Sequence, residues 1–223
     1  MKHFYLPLFL VLASCQPELK EEVVVNEPEV KWTRTSWPVA RGGAGLSGTV
    51  GDPILKSPEL AWTFKTDGPI LGEAMVSGDR VVFGNDLGLL YVLDVKTGDL
   101  IWKKEYEDAI EAAPAIHEGT LFIGCQDSFL YALDLATGDE KWKVETDDKI
   151  TAGVNLTPSP DGTETWVILN GYDGACRALR ASDGKEMWIY KTNEYINGTP
   201  AIGDGKQIVF GGCDRVLYSL DVA

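Results

Sequence analysis

The segment LYVLDVKTGDLIW, residues 90–102, decides the fold, because it returns forty residues later as LYALDLATGDEKW, residues 130–142. A more divergent copy, ALRASDGKEMW, spans residues 178–188, and another copy begins with LYSLDV at residues 217–222. Tryptophan recurs with this repeat at Trp62, Trp102, Trp142 and Trp188. A period of about 40 residues is in the range of solenoid and propeller repeats.

Each copy contains short β-prone runs separated by turn residues, and no stretch has a sustained helical period. The turn after the first run is a glycine turn in every copy: Ser77-Gly78, Glu118-Gly119, Asp161-Gly162 and Asp204-Gly205. The third run is the Leu-Tyr-x-Leu-Asp segment, and the fourth carries the tryptophan. A repeated four-stranded unit must bury its faces against its neighbours, so we predict an all-β propeller of antiparallel blades.

The repeated tryptophans and glycines are predicted to join neighbouring blades. An indole buries roughly 150–250 Å², and its N–H needs a partner such as a backbone carbonyl of the adjacent blade. The expected structural docking residues are Trp62, Trp102, Trp142, Trp188, Gly98, Gly138 and Gly184.

The repeated copies also predict where each blade begins and ends. Residues 59–66 resemble a fourth strand without its first three, complete blades cover about 67–106, 107–146 and 147–192, and a partial blade covers 193–223. Two arrangements stay open. Residues 59–66 complete the last blade by pairing with residues 217–222, giving four blades, or the chain is about half of a larger ring, which we favour.

The N-terminus predicts export. Lys2 and His3 precede an apolar run over residues 4–13 that is too short to span a bilayer. The run ends in Leu-Ala-Ser-Cys at Cys15, which resembles the bacterial lipobox. We expect a signal peptide over residues 1–14 and lipidation of Cys15; an ordinary secretory peptide with a chance cysteine is the alternative.

Residues 15–58 are expected to form the lipidated cysteine, an acidic tether and a glycine-rich lead-in. Gln16 resembles the residue that directs such lipoproteins to the outer membrane, facing the periplasm. The formal net charge of −14 disfavours nucleic-acid partners. Three further cysteines, Cys125, Cys176 and Cys213, are not a disulfide framework, although one pair stays possible.

The motif Asp94-x-x-Thr97-Gly98-x-x-x-Trp102 resembles the tryptophan-docking repeat of quinoprotein propellers, the PQQ-like repeat family. The third copy departs from it, with Arg180 and Asp183 in place of the first Asp and the Thr. The resemblance implies a ring of seven or eight blades. In the dehydrogenases of the family it also implies PQQ held with calcium, acidic ligands, a catalytic aspartate and often a disulfide between adjacent cysteines.

This sequence contains no adjacent cysteines, and His117 is its single histidine outside the leader. One aspartate per blade is expected in a turn rather than in a site: Asp86, Asp127, Asp173 and Asp214. We therefore expect no catalytic, cofactor-binding or metal-binding residues in this chain, and no cofactor.

Two functions follow from the resemblance. The first is a non-catalytic, membrane-anchored scaffold that binds a protein partner, similar to family lipoproteins of outer-membrane protein assembly. The alternative is a PQQ-dependent dehydrogenase or other periplasmic propeller enzyme, using PQQ with calcium, whose site lies in a missing C-terminal part. A sensor or carbohydrate-binding propeller is a third possibility, and any small-molecule ligand is unknown.

Overall fold

The structure is a computed structural model, and it describes residues 38–48, 57, 59–203 and 207–222. Cys15, the signal peptide, most of the tether and the Asp204-Gly205 turn lie outside these residues. Within the described ranges, no helix has the length and apolarity needed to cross a membrane.

Fifteen strands form four antiparallel sheets in the described chain, each a meander in sequence order. Blade 1 consists of β1 (Met75–Ser77), β2 (Arg80–Gly84), β3 (Leu89–Asp94) and β4 (Leu100–Glu105). Blade 2 consists of β5 (Ala115–His117), β6 (Thr120–Gly124), β7 (Phe129–Asp134) and β8 (Glu140–Glu145). Blade 3 consists of β9 (Asn155–Pro158), β10 (Thr165–Asn170), β11 (Ala175–Arg180) and β12 (Glu186–Lys191). Blade 4 consists of β13 (Ala201–Gly203), β14 (Gln207–Gly211) and β15 (Leu217–Asp221). The predicted fold class, an all-β partial propeller of antiparallel blades, is confirmed.

The cores lie between the blades rather than within them. Leu90 and Val92 of blade 1 share a buried cluster with Leu121 and Ile123 of blade 2. Equivalent clusters join blade 2 to blade 3 and blade 3 to blade 4. Because the central strands of blades 1 to 3 are covered on both faces, they are apolar almost throughout, as in β3 and β7.

Residues 59–66 differ from the prediction, because no strand forms there and β15 has no fourth-strand neighbour in the described chain. A strand requires a hydrogen-bonded partner, and none of the described strands lies beside this segment. It is held by side chains instead. Trp62 and Phe64 pack against Phe83 and Tyr91 on blade 1. Closure within one chain by residues 59–66 and 217–222 is therefore not formed here.

The four repeat aspartates lie in turns, as predicted, and three of them make the same hydrogen bond. A carboxylate oxygen of Asp127 accepts the backbone N–H of Phe129 at 3.0 Å, and Asp173 and Asp214 make the same contact two residues on. In blade 1, Asp86 also lies in the turn, one position before the aspartates of the other blades. Asn85 accepts the backbone N–H groups there, and the position equivalent to Asp127 is Leu87.

Candidate functional site

Three of the proposed docking tryptophans donate a hydrogen bond to the following repeat. The indole nitrogen to carbonyl oxygen distances are 3.1 Å for Trp62 to Val95, 3.0 Å for Trp102 to Leu135 and 3.1 Å for Trp142 to Ala181. Trp188 lines an open groove of about 430 Å³ with residues 219–222 of blade 4. These residues are equivalent to those that accept the hydrogen bonds of the other three indoles.

The docking glycines lie directly under these indoles. Gly98, Gly138 and Gly184 all have φ between 73° and 78°. A β-carbon added to Gly184 would lie 2.8 Å from the ring of Trp142, and one added to Gly98 would lie 2.6 Å from the ring of Trp62. These positions therefore require glycine for both the backbone conformation and the close approach of the ring.

The positions that build the blades repeat, so positions where the copies differ are candidates for function. At one end of the blades, the β2–β3 type turns meet the segments that connect one blade to the next; we call this end the loop face. One backbone hydrogen bond, from the turn to the connecting segment, recurs at the loop face of every blade. Gln126 N–H donates to the carbonyl of Ala109 at 3.0 Å, and Tyr172 N–H donates to that of Lys149 at 3.0 Å.

Three aligned positions of this constant frame carry different side chains in each blade. The turn position is occupied by Asp86, Gln126, Tyr172 and Cys213. The first connector position is occupied by Pro69, Ala109, Lys149 and Tyr195. The second connector position, two residues later, is occupied by Leu71, Glu111, Thr151 and Asn197.

A groove of about 480 Å³ opens on the loop face. Its lining residues are Leu71, Glu111, Gln126, Lys149, Thr151, Tyr172 and Asn197. Every one of them comes from the three variable positions. A constant backbone frame thus displays a set of side chains that the blades themselves do not require, which makes this groove the candidate functional site.

An aromatic stack borders the groove. The rings of Tyr172 and Tyr195 lie 4.7 Å apart at 12°, and the ammonium of Lys149 lies 4.5 Å above the ring of Tyr172. Hydrogen bonding with Cys213 raises the pKa of Tyr195. The stack fixes a cation and an exposed aromatic edge at the rim, an arrangement suited to recognition by stacking and hydrogen bonding.

A second groove, of about 550 Å³, lies between blades 2 and 3 away from the loop face. His117 Nε2 lies 3.0 Å from the hydroxyl of Thr165, and Arg180 Nε lies 2.9 Å from a carboxylate oxygen of Glu164. Arg180 also pairs with Asp183 at 3.2 Å. The departure from the repeat at Arg180 and Asp183 therefore serves ion pairs inside blade 3.

The three cysteines of the propeller are free thiols. Cys125 and Cys176 are buried, and burial raises the pKa of each to about 12. Cys213 is exposed on the loop face. The disulfide that the sequence left possible is not formed among them.

The family model described as outer membrane protein assembly factor BamB matches residues 47–223. The chain belongs to this family of PQQ-like propellers. A curated relative, the polyvinylalcohol dehydrogenase of Sphingopyxis sp. (strain 113P3), is 36% identical over 58 residues, which is 26% of this chain and 9% of that protein.

Solved structures share the fold. BamB from Moraxella catarrhalis aligns with a TM-score of 0.63 at 23% identity, over 73% of this chain and 49% of that chain. Quinohemoprotein alcohol dehydrogenase from Comamonas testosteroni aligns with a TM-score of 0.70 at 15% identity, over 84% and 39%. The computationally designed Ika4 protein aligns with a TM-score of 0.63 at 19% identity, over 75% and 99%. This chain spans about half of the BamB structure and a small part of the curated relative.

The family raises the question of PQQ, a quinone that carries several carboxylates. The charged residues that line the loop-face groove are one cation, Lys149, and one carboxylate, Glu111. Several carboxylates would need several cationic partners. The described residues also contain no group of three His, Cys, Asp or Glu side chains that could hold a calcium ion. The residues of this groove do not fit the cofactor.

Proposed function

We propose that this BamB-type propeller is a non-catalytic, lipid-anchored scaffold that binds a protein partner at its loop face, within outer-membrane protein assembly. One observation carries the proposal: the groove is lined entirely by positions that vary between copies whose backbone frame is constant. Residues needed only for folding would be expected to repeat with the blades.

The chemistry of the lining suits a polypeptide segment. The side-chain amides of Gln126 and Asn197 can donate and accept hydrogen bonds, as an extended backbone requires of its partner. Leu71 is 62% exposed at the edge of the groove and offers an apolar contact. The volume lies within the range of about 300–1,000 Å³ that is usual for binding clefts.

The negative charge of the loop face favours a basic polypeptide segment as the partner. The segments that connect the blades at the loop face carry several carboxylates: Asp67, Glu107, Asp108, Asp147, Asp148 and Glu194. Two of them have lysine partners, at 3.9 Å for Asp67 with Lys103 and 3.2 Å for Asp147 with Lys191. The acidic excess would steer a Lys- or Arg-containing segment to the groove and repel anionic surfaces.

Site-specific photocrosslinking in the exporting bacterium tests the partner. A photoreactive residue at Gln126, Thr151 or Asn197 should crosslink a protein of the outer-membrane assembly machinery, whereas the same residue at Ser182 in the second groove should not. Equal crosslinking of that protein from Ser182, or none from the loop face, would contradict the proposal.

The anchor is tested separately. Replacement of Cys15 by Ala should abolish incorporation of labelled palmitate and release the chain from the outer-membrane fraction. A membrane-bound Cys15→Ala chain would contradict lipid anchoring without bearing on the groove.

The likeness to alcohol dehydrogenases favours a second candidate, a PQQ-dependent dehydrogenase or another periplasmic propeller enzyme. Purified chain would be incubated with PQQ and calcium, desalted, and assayed for bound quinone absorbance and for oxidation of alcohols by an artificial acceptor. Retained quinone with turnover would overturn the scaffold proposal.

A further inference from the structure

The dipeptide Asn-Gly occurs twice in the sequence, and the fold places the two copies in opposite surroundings. Asn170-Gly171 stands at the end of β10, and Asn170 is fully buried. Asn197-Gly198 lies in the segment that connects blade 3 to blade 4, where Asn197 is exposed and lines the loop-face groove. The same chemical unit is therefore present once inside the fold and once at the candidate site.

An asparagine that precedes glycine is open to attack by the backbone. Glycine has no β-carbon, so it leaves its own nitrogen unhindered and allows the chain to bend towards the asparagine side chain. The attacking nitrogen and the side-chain carbonyl belong to adjacent residues, so no encounter between separate molecules is needed. The reaction then requires that both groups are free of other bonds.

Both groups are free at Asn197. The N–H of Gly198 has no acceptor among the described residues. The side-chain amide of Asn197 has one polar contact there, between its Oδ1 and the sulfur of Cys213 at 4.0 Å. The connecting segment is held instead through the carbonyl of Gly198, which accepts a hydrogen bond of 2.9 Å from Asn170 Nδ2.

The unbonded nitrogen is a property of the connecting segments rather than of the last blade. Ala112 and Ala152 hold the position of Gly198 in the two connecting segments that have further blades on both sides. Their N–H groups also have no acceptor in the described chain. The residues immediately before them line the same groove as Asn197. A further blade beside blade 4 should therefore leave this nitrogen unbonded and Asn197 in the groove.

Asn170-Gly171 lacks this freedom. The N–H of Gly171 donates to the carbonyl of Ala175 at 3.0 Å and closes the turn between β10 and β11. The side chain of Asn170 is buried and donates to the carbonyl of Gly198. Attack at Asn170 would break both hydrogen bonds, so the folded chain protects this copy.

We propose that Asn197 is a site of self-catalysed deamidation on the loop face. The nitrogen of Gly198 loses its proton to water or hydroxide and attacks Cγ of Asn197. The new N–Cγ bond forms, the Cγ–Nδ2 bond breaks, and Nδ2 takes up a proton and leaves as ammonia. Water then opens the resulting succinimide at either of its carbonyls, giving aspartate or isoaspartate. No electrons are transferred, and water is the only co-reactant.

The modification changes the charge of the groove. Its lining then carries two carboxylates, at Glu111 and at position 197, against the single ammonium of Lys149. The isoaspartate product also inserts a methylene group into the main chain of the connecting segment. Deamidation is therefore a one-way change of the loop face, and it occurs whichever partner binds there.

Peptide mass spectrometry of the full chain, aged in mildly alkaline buffer made with heavy-oxygen water and digested in ordinary water, tests the proposal. In the folded chain, the tryptic peptide of residues 192–206 should acquire the acid form with heavy oxygen at Asn197. The peptide that contains Asn170 should stay unmodified. In guanidinium chloride both asparagines should convert at similar rates, because unfolding removes the protection of Asn170.

Gly198→Ala is the matched variant. Alanine already stands at this position in two other connecting segments, and a β-carbon added to Gly198 has no atom within 4 Å, so the fold should be kept. Circular dichroism checks this. The added methyl group hinders the nitrogen, and conversion of Asn197 should slow several-fold. The proposal would be overturned by conversion of Asn170 as fast as Asn197 in the folded chain, by a folded Asn197 that stays intact while the unfolded one converts, or by an unchanged rate in Gly198→Ala.

Discussion

The phenol of Tyr131 donates a hydrogen bond of 2.8 Å to the carboxylate of Asp127, four residues earlier in the same hairpin of blade 2. Tyr218 and Asp214 make the same pair in blade 4, and Arg177 replaces the tyrosine against Asp173 in blade 3. Blade 1 breaks the series, because Leu87 stands at the aspartate position. The hydroxyl of Tyr91, a residue only 2% exposed, has no hydrogen-bond partner there.

Replacing Leu87 by Asp should therefore stabilise the fold. The new carboxylate would accept the buried hydroxyl of Tyr91 and remove an exposed leucine, raising the free energy of unfolding by about 1 kcal/mol. Urea denaturation measures the change. Leu60→Asp, at a leucine that is also exposed but has no buried hydroxyl to satisfy, is the control and should give no gain. A loss of stability in Leu87→Asp would refute the pairing rule.

Gly184→Ala should destabilise the junction between blades 2 and 3. The change forces alanine into a φ of 74° and drives its β-carbon towards the ring of Trp142. Gly119→Ala is the matched control, because Gly119 has a φ of 73° with no atom within 4 Å of an added β-carbon. We expect a loss of about 1–2 kcal/mol for the control, from backbone conformation alone. Gly184→Ala should lose clearly more, and equal losses in urea denaturation would show that the ring contact is unimportant.

Acid should weaken the fold through the repeat aspartates. Asp134 accepts the backbone N–H of Ala136 at 2.9 Å and of Thr137 at 3.1 Å, and these bonds lower the pKa of Asp134. A pKa that is lower in the folded than in the unfolded chain means that the carboxylate stabilises the fold above the unfolded value of about 3.9. That contribution is lost as the pH falls through the folded value. Asp134→Asn should reduce the decline of unfolding free energy below pH 4, and an unchanged decline would contradict the assignment.

The thiols should differ in reactivity. At pH 8 in the native chain, iodoacetamide should alkylate Cys213, while Cys125 and Cys176 should react only after unfolding, because burial raises the pKa of both to about 12. Mass spectrometry of the digested peptides measures each site. Alkylation of Cys125 at the rate of Cys213 would mean that the junction between blades 1 and 2 opens readily.

The blades were predictable because their determinants are local. The apolar β-prone run LYVLD, the glycine turns and the recurring tryptophans all lie within one repeat, and each copy repeats the same evidence for strand and turn. The contact of the Trp102 ring with Gly138 of the next blade follows from the same 40-residue period. Family membership rests on the same motifs.

Other features depend on neighbours that a local pattern does not contain. Residues 59–66 have the composition of a strand, yet strand formation needs a second strand beside them. Asp86 resembles the other turn aspartates, but it lies one position before them, and Asn85 accepts the backbone N–H groups of its turn. The groove gathers residues from Leu71 to Asn197, and their divergence between aligned copies is the sequence signal that could have identified them.

The most direct measurement of the central claim is the affinity of the crosslinked partner for two charge-matched variants. Thr151→Arg would fill the loop-face groove and oppose a basic segment, and Ser182→Arg would place the same side chain in the second groove. We predict that Thr151→Arg weakens binding at least about tenfold, or about 1.4 kcal/mol, while Ser182→Arg leaves it unchanged. Equal affinities of Thr151→Arg and the wild-type chain would contradict the claim that the loop face is the binding site.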